Sequence, residues 1–215
     1  KDRLCEYACG RNFEVLKWAF NELDLPWAQY PAGPVSDDVL VLCMDLPWEP
    51  WGDWYPAGHV SDDVLALCAL REMWPKLQER WSVDEQPEDW HGVTIGTARG
   101  DEHDGRVVEL DLPNMRLGGA VPAEIGQLTS LKWLDLYGDE LTSVPAEIGQ
   151  LASLTVLRLY DNQLTRLPAE IGQLTSLVYL DLGGNQLTSL PAEVGQLTSL
   201  EVLDLSHNQL TSVPV

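Results

Sequence analysis

Several groups of side chains have the types and spacing to do chemistry. The run Asp101, Glu102, His103, Asp104 offers carboxylate oxygens to a hard divalent cation, but it lacks the ordered ligand positions of a calcium loop. Its flanking glycines suit a solvated acidic loop instead. Cys5 and Cys9 stand one helical turn apart as soft ligands without a second pair, so structural thiols are the expectation. His59, His91, His103 and His207 are scattered and have no partner at a useful spacing. The remaining group is aromatic: Trp133, Tyr137, Tyr160 and Tyr179 recur around Arg158, with Asp135 and Asp181 beside it. Exposed aromatics with arginine carry binding energy at interfaces. No GxSxG, HExxH or GxxxxGK[ST] motif occurs. Neither catalysis, nor a cofactor, nor a bound metal is expected.

Charge and length narrow the partners. The 215 residues carry 34 Asp and Glu against 13 Lys and Arg, a formal charge of -21, which repels nucleic acid and anionic membrane surfaces. The longest uninterrupted apolar stretch, Val64 to Leu70, is far shorter than the roughly 20 residues a bilayer span requires, so no membrane insertion is expected. The 45% apolar content suffices for one sizeable core or an elongated array with a cap. The four cysteines, Cys5, Cys9, Cys43 and Cys68, match no zinc spacing and read as reduced thiols, with two bridges left open as the alternative.

The aromatic set is positioned by internal repetition. Leu131, Leu154, Leu177 and Leu200 recur every 23 residues, and an earlier unit opening at Val107 is one residue longer because LGGAVP replaces LTSVP. In each unit LxxLxLxxNxL supplies one short strand, with Leu157 and Leu159 facing inward and Leu164 following the turn. Pro145, Pro168 and Pro191 stop the strand. The following AEIGQL is too short for an independent helix and suits a tight turn, a 3₁₀ segment or a brief helix. No unit can bury its own leucines; stacked units with parallel strands can. The side chains between those leucines then point to one exposed face, which places Trp133, Asp135 and Tyr137 beside Val156, Arg158 and Tyr160, and these beside Tyr179 and Asp181.

This repeat resembles the leucine-rich-repeat family over about half the chain. The resemblance implies an α/β fold: a right-handed leucine-rich-repeat solenoid with a curved parallel sheet on its concave face, preceded by a mainly helical N-terminal cap. It also implies an inward asparagine ladder at Asn162, Asn185 and Asn208. Asp139 stands at that position as a partial substitute and Met115 cannot bond in the same way, so the ladder is expected to fray at its amino-terminal end.

Three segments are expected: residues 1–60, helical, Trp/Pro-rich and partly duplicated; 61–104, the cap; and 105–215, five repeat units with the last truncated. Residues 5–27 are similar to an ankyrin helix pair, and DLPW…SDDVL occurs twice. In the cap, Ser61 is a good N-cap with Asp62 and Asp63 in the first turn, and Pro75 interrupts or ends the helix. Pro87, Trp90, Gly92 and Val93 match the PCxWxGVxC segment of plant-type leucine-rich-repeat caps, while Glu88 and Ile95 replace its cysteines. That loss points to a reducing compartment, hence an intracellular, cytoplasmic location. An organelle stays open because the chain begins at Lys1 rather than Met.

The functional expectation is a noncatalytic interaction module that holds a protein or peptide, one with a basic patch, on its concave face. The competing reading is a structural subunit of a larger complex attached through the first hundred residues, where eight of nine tryptophans lie. Targeting of an enzyme domain outside this chain is a third. The row Thr142, Thr165, Thr188, Thr211 would also suit an ice lattice, but repetition alone produces it. Because the last unit stops without a polar closing element, Leu203, Leu205 and Leu210 are expected to face solvent on one side, and further repeats or a neighbour to cover them.

Overall fold

The computed structural model describes residues 62–82, 85, 89–96 and 105–212. The ankyrin-like segment, the first copy of the duplication and the second as far as Ser61, Cys5, Cys9, Cys43, Pro87, Glu88 and the Asp101–Asp104 loop lie outside the described residues.

Helix α1 (Asp62–Met73) and the short α2 (Pro75–Gln78) are separated by Trp74, whose extended backbone is what a residue before proline prefers. Their inner side chains, Ala66, Leu67, Leu70, Trp74 and Leu77, are buried in the same core as the repeats. Trp81 and Trp90 stack at 4.8 Å with rings 13° from parallel. Trp81 Nε1 donates to His91 O and Trp90 Nε1 to Ser82 O, each at 2.8 Å, so both indoles are anchored at their polar ends.

Five parallel strands follow, one per coil: β2 (Val107–Asp111), β4 (Trp133–Asp135), β6 (Val156–Arg158), β7 (Tyr179–Asp181) and β8 (Val202–Asp204). Two features were not anticipated from the sequence. Strand β1 (Val93–Ile95) pairs antiparallel with β2 and extends the sheet onto the cap, and β3 (Gly119–Ala120) pairs with β5 (Leu141–Ser143) in a second, two-stranded sheet. Gly118 and Gly119 both take positive φ, 66° and 69°, which is how the longer first unit enters β3.

The AEIGQ segments and the AEVGQ of the later unit fold as 3₁₀ turns, Ala123–Gln127, Ala146–Gln150, Ala169–Gln173 and Ala192–Gln196, each entered through a proline in extended conformation. Their glycines let successive coils touch. A Cβ on Gly149 would lie 2.7 Å from Glu170 O, and one on Gly126 2.6 Å from Glu147 O, too close for any side chain. Between the strands and these turns lie Leu134, Leu136, Leu157, Leu159, Leu180 and Leu182, all essentially inaccessible. Burial of each such side chain contributes about 1.5–3 kcal/mol. In the last described coil, Leu203, Leu205 and Leu210 are only partly buried.

A polar ladder runs through the turns that follow the strands. Asn162 Nδ2 donates to Leu136 O (2.8 Å), Leu159 O (3.1 Å) and Tyr160 O (3.3 Å). Asn162 Oδ1 accepts from Asp139 N and Leu141 N. Asn185 and Asn208 repeat the pattern one and two coils on, reaching back to Leu159 O and Leu182 O. At the amino-terminal end Met115 is buried and its backbone N donates to Asp139 Oδ1 at 2.6 Å, while Asp139 Oδ2 has no hydrogen-bond partner among the described residues.

Candidate functional site

Strand register fixes the aromatic face. Trp133, Val156, Tyr179 and Val202 are direct neighbours across β4, β6, β7 and β8, and two residues on Asp135, Arg158, Asp181 and Asp204 form a second row. With strands about 4.8 Å apart, Trp133 and Tyr179 are separated by roughly 10 Å, with Val156 as the floor between them. Beyond the strand ends, Tyr137 and Tyr160 stack at 5.4 Å with their rings 30° apart. The Tyr160 ring continues over Gly183, where a Cβ would meet Tyr160 Cδ2 at 2.9 Å. The absence of a side chain there keeps the ring flat against the next coil. Trp133, Tyr137, Tyr160 and Tyr179 are all half-buried, as rings lying on a surface are.

The acidic members behave differently from the free column that their alternation suggests. Asp135 and Asp181 sit on the strand face but are buried, because each turns its carboxylate to its own chain. Asp135 Oδ1 accepts from Tyr137 N at 3.0 Å, Asp181 Oδ1 from Gly183 N at 3.1 Å, and Asp204 Oδ1 from Ser206 N at 2.8 Å. These local bonds close the turns at Tyr137, Gly183 and Ser206, a role that Asp two residues before a turn N–H commonly fills. Burial raises the Asp135 carboxyl above its ordinary range, opposed by the Tyr137 N–H and by Arg158. Arg158 Nη1 donates to Asp135 Oδ2 at 2.8 Å, so of its two acidic neighbours it is bonded to Asp135. The exposed acids of the face are Glu109 and Asp111, on β2.

The repeat region matches the model of a leucine-rich repeat region over residues 106–215. The chain belongs to the leucine-rich-repeat family. A protein of Arabidopsis thaliana named as a probable leucine-rich repeat receptor-like protein kinase is 38% identical over 72 residues. The match takes in 33% of this chain and only 7% of that relative. Among solved structures, the chain is similar to one from the BIR3–SERK2 complex of the same plant, with a TM-score of 0.61 and 30% identity, covering 71% of this chain and 85% of that one. It is also similar to the BIR2 ectodomain of that plant, with a TM-score of 0.62 and 25% identity over 73% and 85% of the two chains.

These likenesses overturn the expectation of an intracellular, cytoplasmic location, since the similar leucine-rich-repeat domains belong to receptor ectodomains and a receptor-like kinase. The inference from missing cysteines fails for a physical reason. Ile95 stands in β1, paired across to Val107, and the bonded Trp81–Trp90 stack ties the cap together. A cap held by packing needs no bridge, so the lack of one reports nothing about redox compartment.

Proposed function

We propose that the repeat segment, 105–215, capped by residues 61–104, is a noncatalytic capture surface for a protein or peptide that presents basic side chains to the strand face. The observation that carries this reading is the set of half-buried rings on one strand face, Trp133 and Tyr179 in one row and the stacked Tyr137–Tyr160 pair beyond the row of Asp135, Arg158 and Asp181. Ring faces left half open on a rigid sheet lose contact with water when a partner covers them, and they lose little side-chain entropy on binding. Glu109, Asp111 and the net charge of -21 support a basic partner, because such a surface steers opposite charge toward it. The likeness to a chain solved within a two-protein complex supports a protein as the ligand.

Affinity capture with the wild-type chain and with Trp133→Ala/Tyr160→Ala tests the reading. The expected outcome is a partner lost by the double variant, with binding that weakens as salt rises. Circular dichroism must show that the variant melts as a folded protein. Full retention of that partner by a folded double variant would remove the aromatic face from consideration. Deleting residues 1–60 tests the second reading: binding that disappears with this segment places attachment in the tryptophan-rich part of the chain instead.

A further inference from the structure

The ladder contains one position where the chemistry is wrong for its site. In the later coils, Leu159 O receives donors from Asn162 and Asn185, and Leu182 O receives donors from Asn185 and Asn208. Each of these carbonyls is thus held from its own coil and from the next. Leu136 O receives Asn162 Nδ2 from the next coil, but the residue that would serve it from its own coil is Asp139. The same residue would serve Leu112 O in the coil before. Asp139 Oδ1 accepts from Met115 N just as Asn162 Oδ1 accepts from Asp139 N, which leaves Oδ2 where an asparagine carries its NH₂. Oδ2 is buried and, among the described residues, has no hydrogen-bond partner. An ionised carboxylate there sets a bare oxygen against carbonyl oxygens; a protonated one has a hydrogen to give them.

We propose that Asp139 is a proton-operated rung: protonated, it donates through Oδ2 to Leu112 O or Leu136 O, the carbonyls that correspond to those asparagine serves in the later coils, and ionised, it withholds that donor, leaves Leu136 O held from the next coil alone, and loosens the turn that carries Tyr137. The proton comes from solvent and returns to it. This regulation rests on the reading of the aromatic face as the binding surface, because Tyr137 lies two residues before the rung and Gly138 N donates to Tyr160 O at 3.0 Å.

The surroundings agree with the placement. Burial is the main influence that raises the Asp139 carboxyl to about 6, opposed by the N–H groups of Met115, Leu117 and Arg116 and assisted by the charge of Asp135. Asp135 is itself bonded to Arg158. Arg116, Glu140 and Asp161, the charged residues of the adjoining turns, are exposed to solvent, and Asn162, which packs against the rung from the next coil, is neutral. Folded Asp139 therefore holds its proton more tightly than the unfolded chain does. Its support for the folded state is complete below about pH 4 and is withdrawn as pH rises through about 6.

Asp139→Asn restores the donor at every pH, so the comparison is between full-length wild type and Asp139→Asn in chemical denaturation from about pH 5 to about pH 7.5. Acidification relieves general charge repulsion in both proteins, and their difference isolates the rung. The variant is expected to be the more stable at neutral pH, and the ratio of the two unfolding constants to shrink about tenfold toward about pH 5. Hydrogen exchange gives the local readout: protection factors at Met115 and Gly138 should rise more on acidification in wild type than in the variant. Parallel pH profiles, unchanged protection, or a variant that is less stable or unfolded at neutral pH would each overturn the proposal. No partner enters the measurement, so failure here and failure of the aromatic face in the capture experiment are separate results.

Discussion

Arg106 and the carboxylate of Asp63 are bonded across 43 positions of the chain: Asp63 Oδ1 accepts from Arg106 Nε at 2.9 Å and stands 2.6 Å from Nη2. Its other oxygen accepts from Val107 N at 2.7 Å. The first turn of α1 thereby supplies the edge of the first repeat strand with the acceptor that a preceding coil would otherwise offer. Asp63 is buried, so truncating it takes the acceptor from the backbone N–H of Val107 and one bond from Arg106, whose part-exposed guanidinium also donates to Thr129 Oγ1. Asp63→Ala is expected to cost about 1–3 kcal/mol in urea denaturation, the loss that follows when a buried backbone donor loses its acceptor. A cost under about 1 kcal/mol would mean that the helix is not held to the solenoid by this carboxylate.

The ladder predicts an ordering. Asn185 is buried and bonds three carbonyls and Leu164 N, so Asn185→Ala leaves several interior groups unpaired and should cost about 3 kcal/mol. Asn208 makes the same bonds in a half-exposed coil where water can replace them, so Asn208→Ala should cost about 1 kcal/mol or less. Equal losses in the two variants would contradict the picture of a ladder sealed from solvent.

Two glycines of the same motif should respond with opposite sign. Gly149→Ala drives a methyl against Glu170 O and Gln173 Oε1, each 2.7 Å away, and the carbonyl cannot yield without parting the coils. Thermal unfolding should show a loss of about 1–3 kcal/mol. Nothing lies within 4 Å of a Cβ on Gly195, and Gly195 is absent from the positive-φ residues, so Gly195→Ala should be neutral or stabilise by about 0.4–1 kcal/mol through the unfolded chain.

Burial, assisted by Glu72 and opposed by Arg71, pushes the Cys68 thiol up to about 11, so almost none is thiolate at neutral pH. Peptide mapping after treatment with a thiol-directed reagent should find Cys68 labelled slowly in the native protein and quickly in denaturant. Equal rates would mean that α1 opens freely.

What could be read from the sequence was what repeats. A leucine every two residues and a 23-residue period are enough to place Leu157 and Leu180 inside and Trp133 and Tyr179 outside, because burial acts on every unit alike. The unique contacts were out of reach. Nothing about Asp63 marks it as a partner of Arg106, and β1 arises from a three-residue stretch whose strand character depends on the neighbour it finds. Asp135 and Asp181 were legible as strand-face residues but not as turn-closing acceptors, since alternation gives the direction of a side chain and not the bond at its tip. The compartment was misread because a missing disulfide was treated as a chemical signal when packing had replaced it.

The reach of each ladder asparagine back to the coil before it has a further consequence. Asn162, Asn185 and Asn208 each meet the same carbonyl pattern, so any coil in this run is an acceptable neighbour for any other. Gain or loss of a whole 23-residue module leaves every junction chemically unchanged, while it adds or erases a stripe of side chains such as Arg158 and Tyr160. Architecture and recognition can therefore vary independently, which lets recombination edit what the protein grips without renegotiating how it folds.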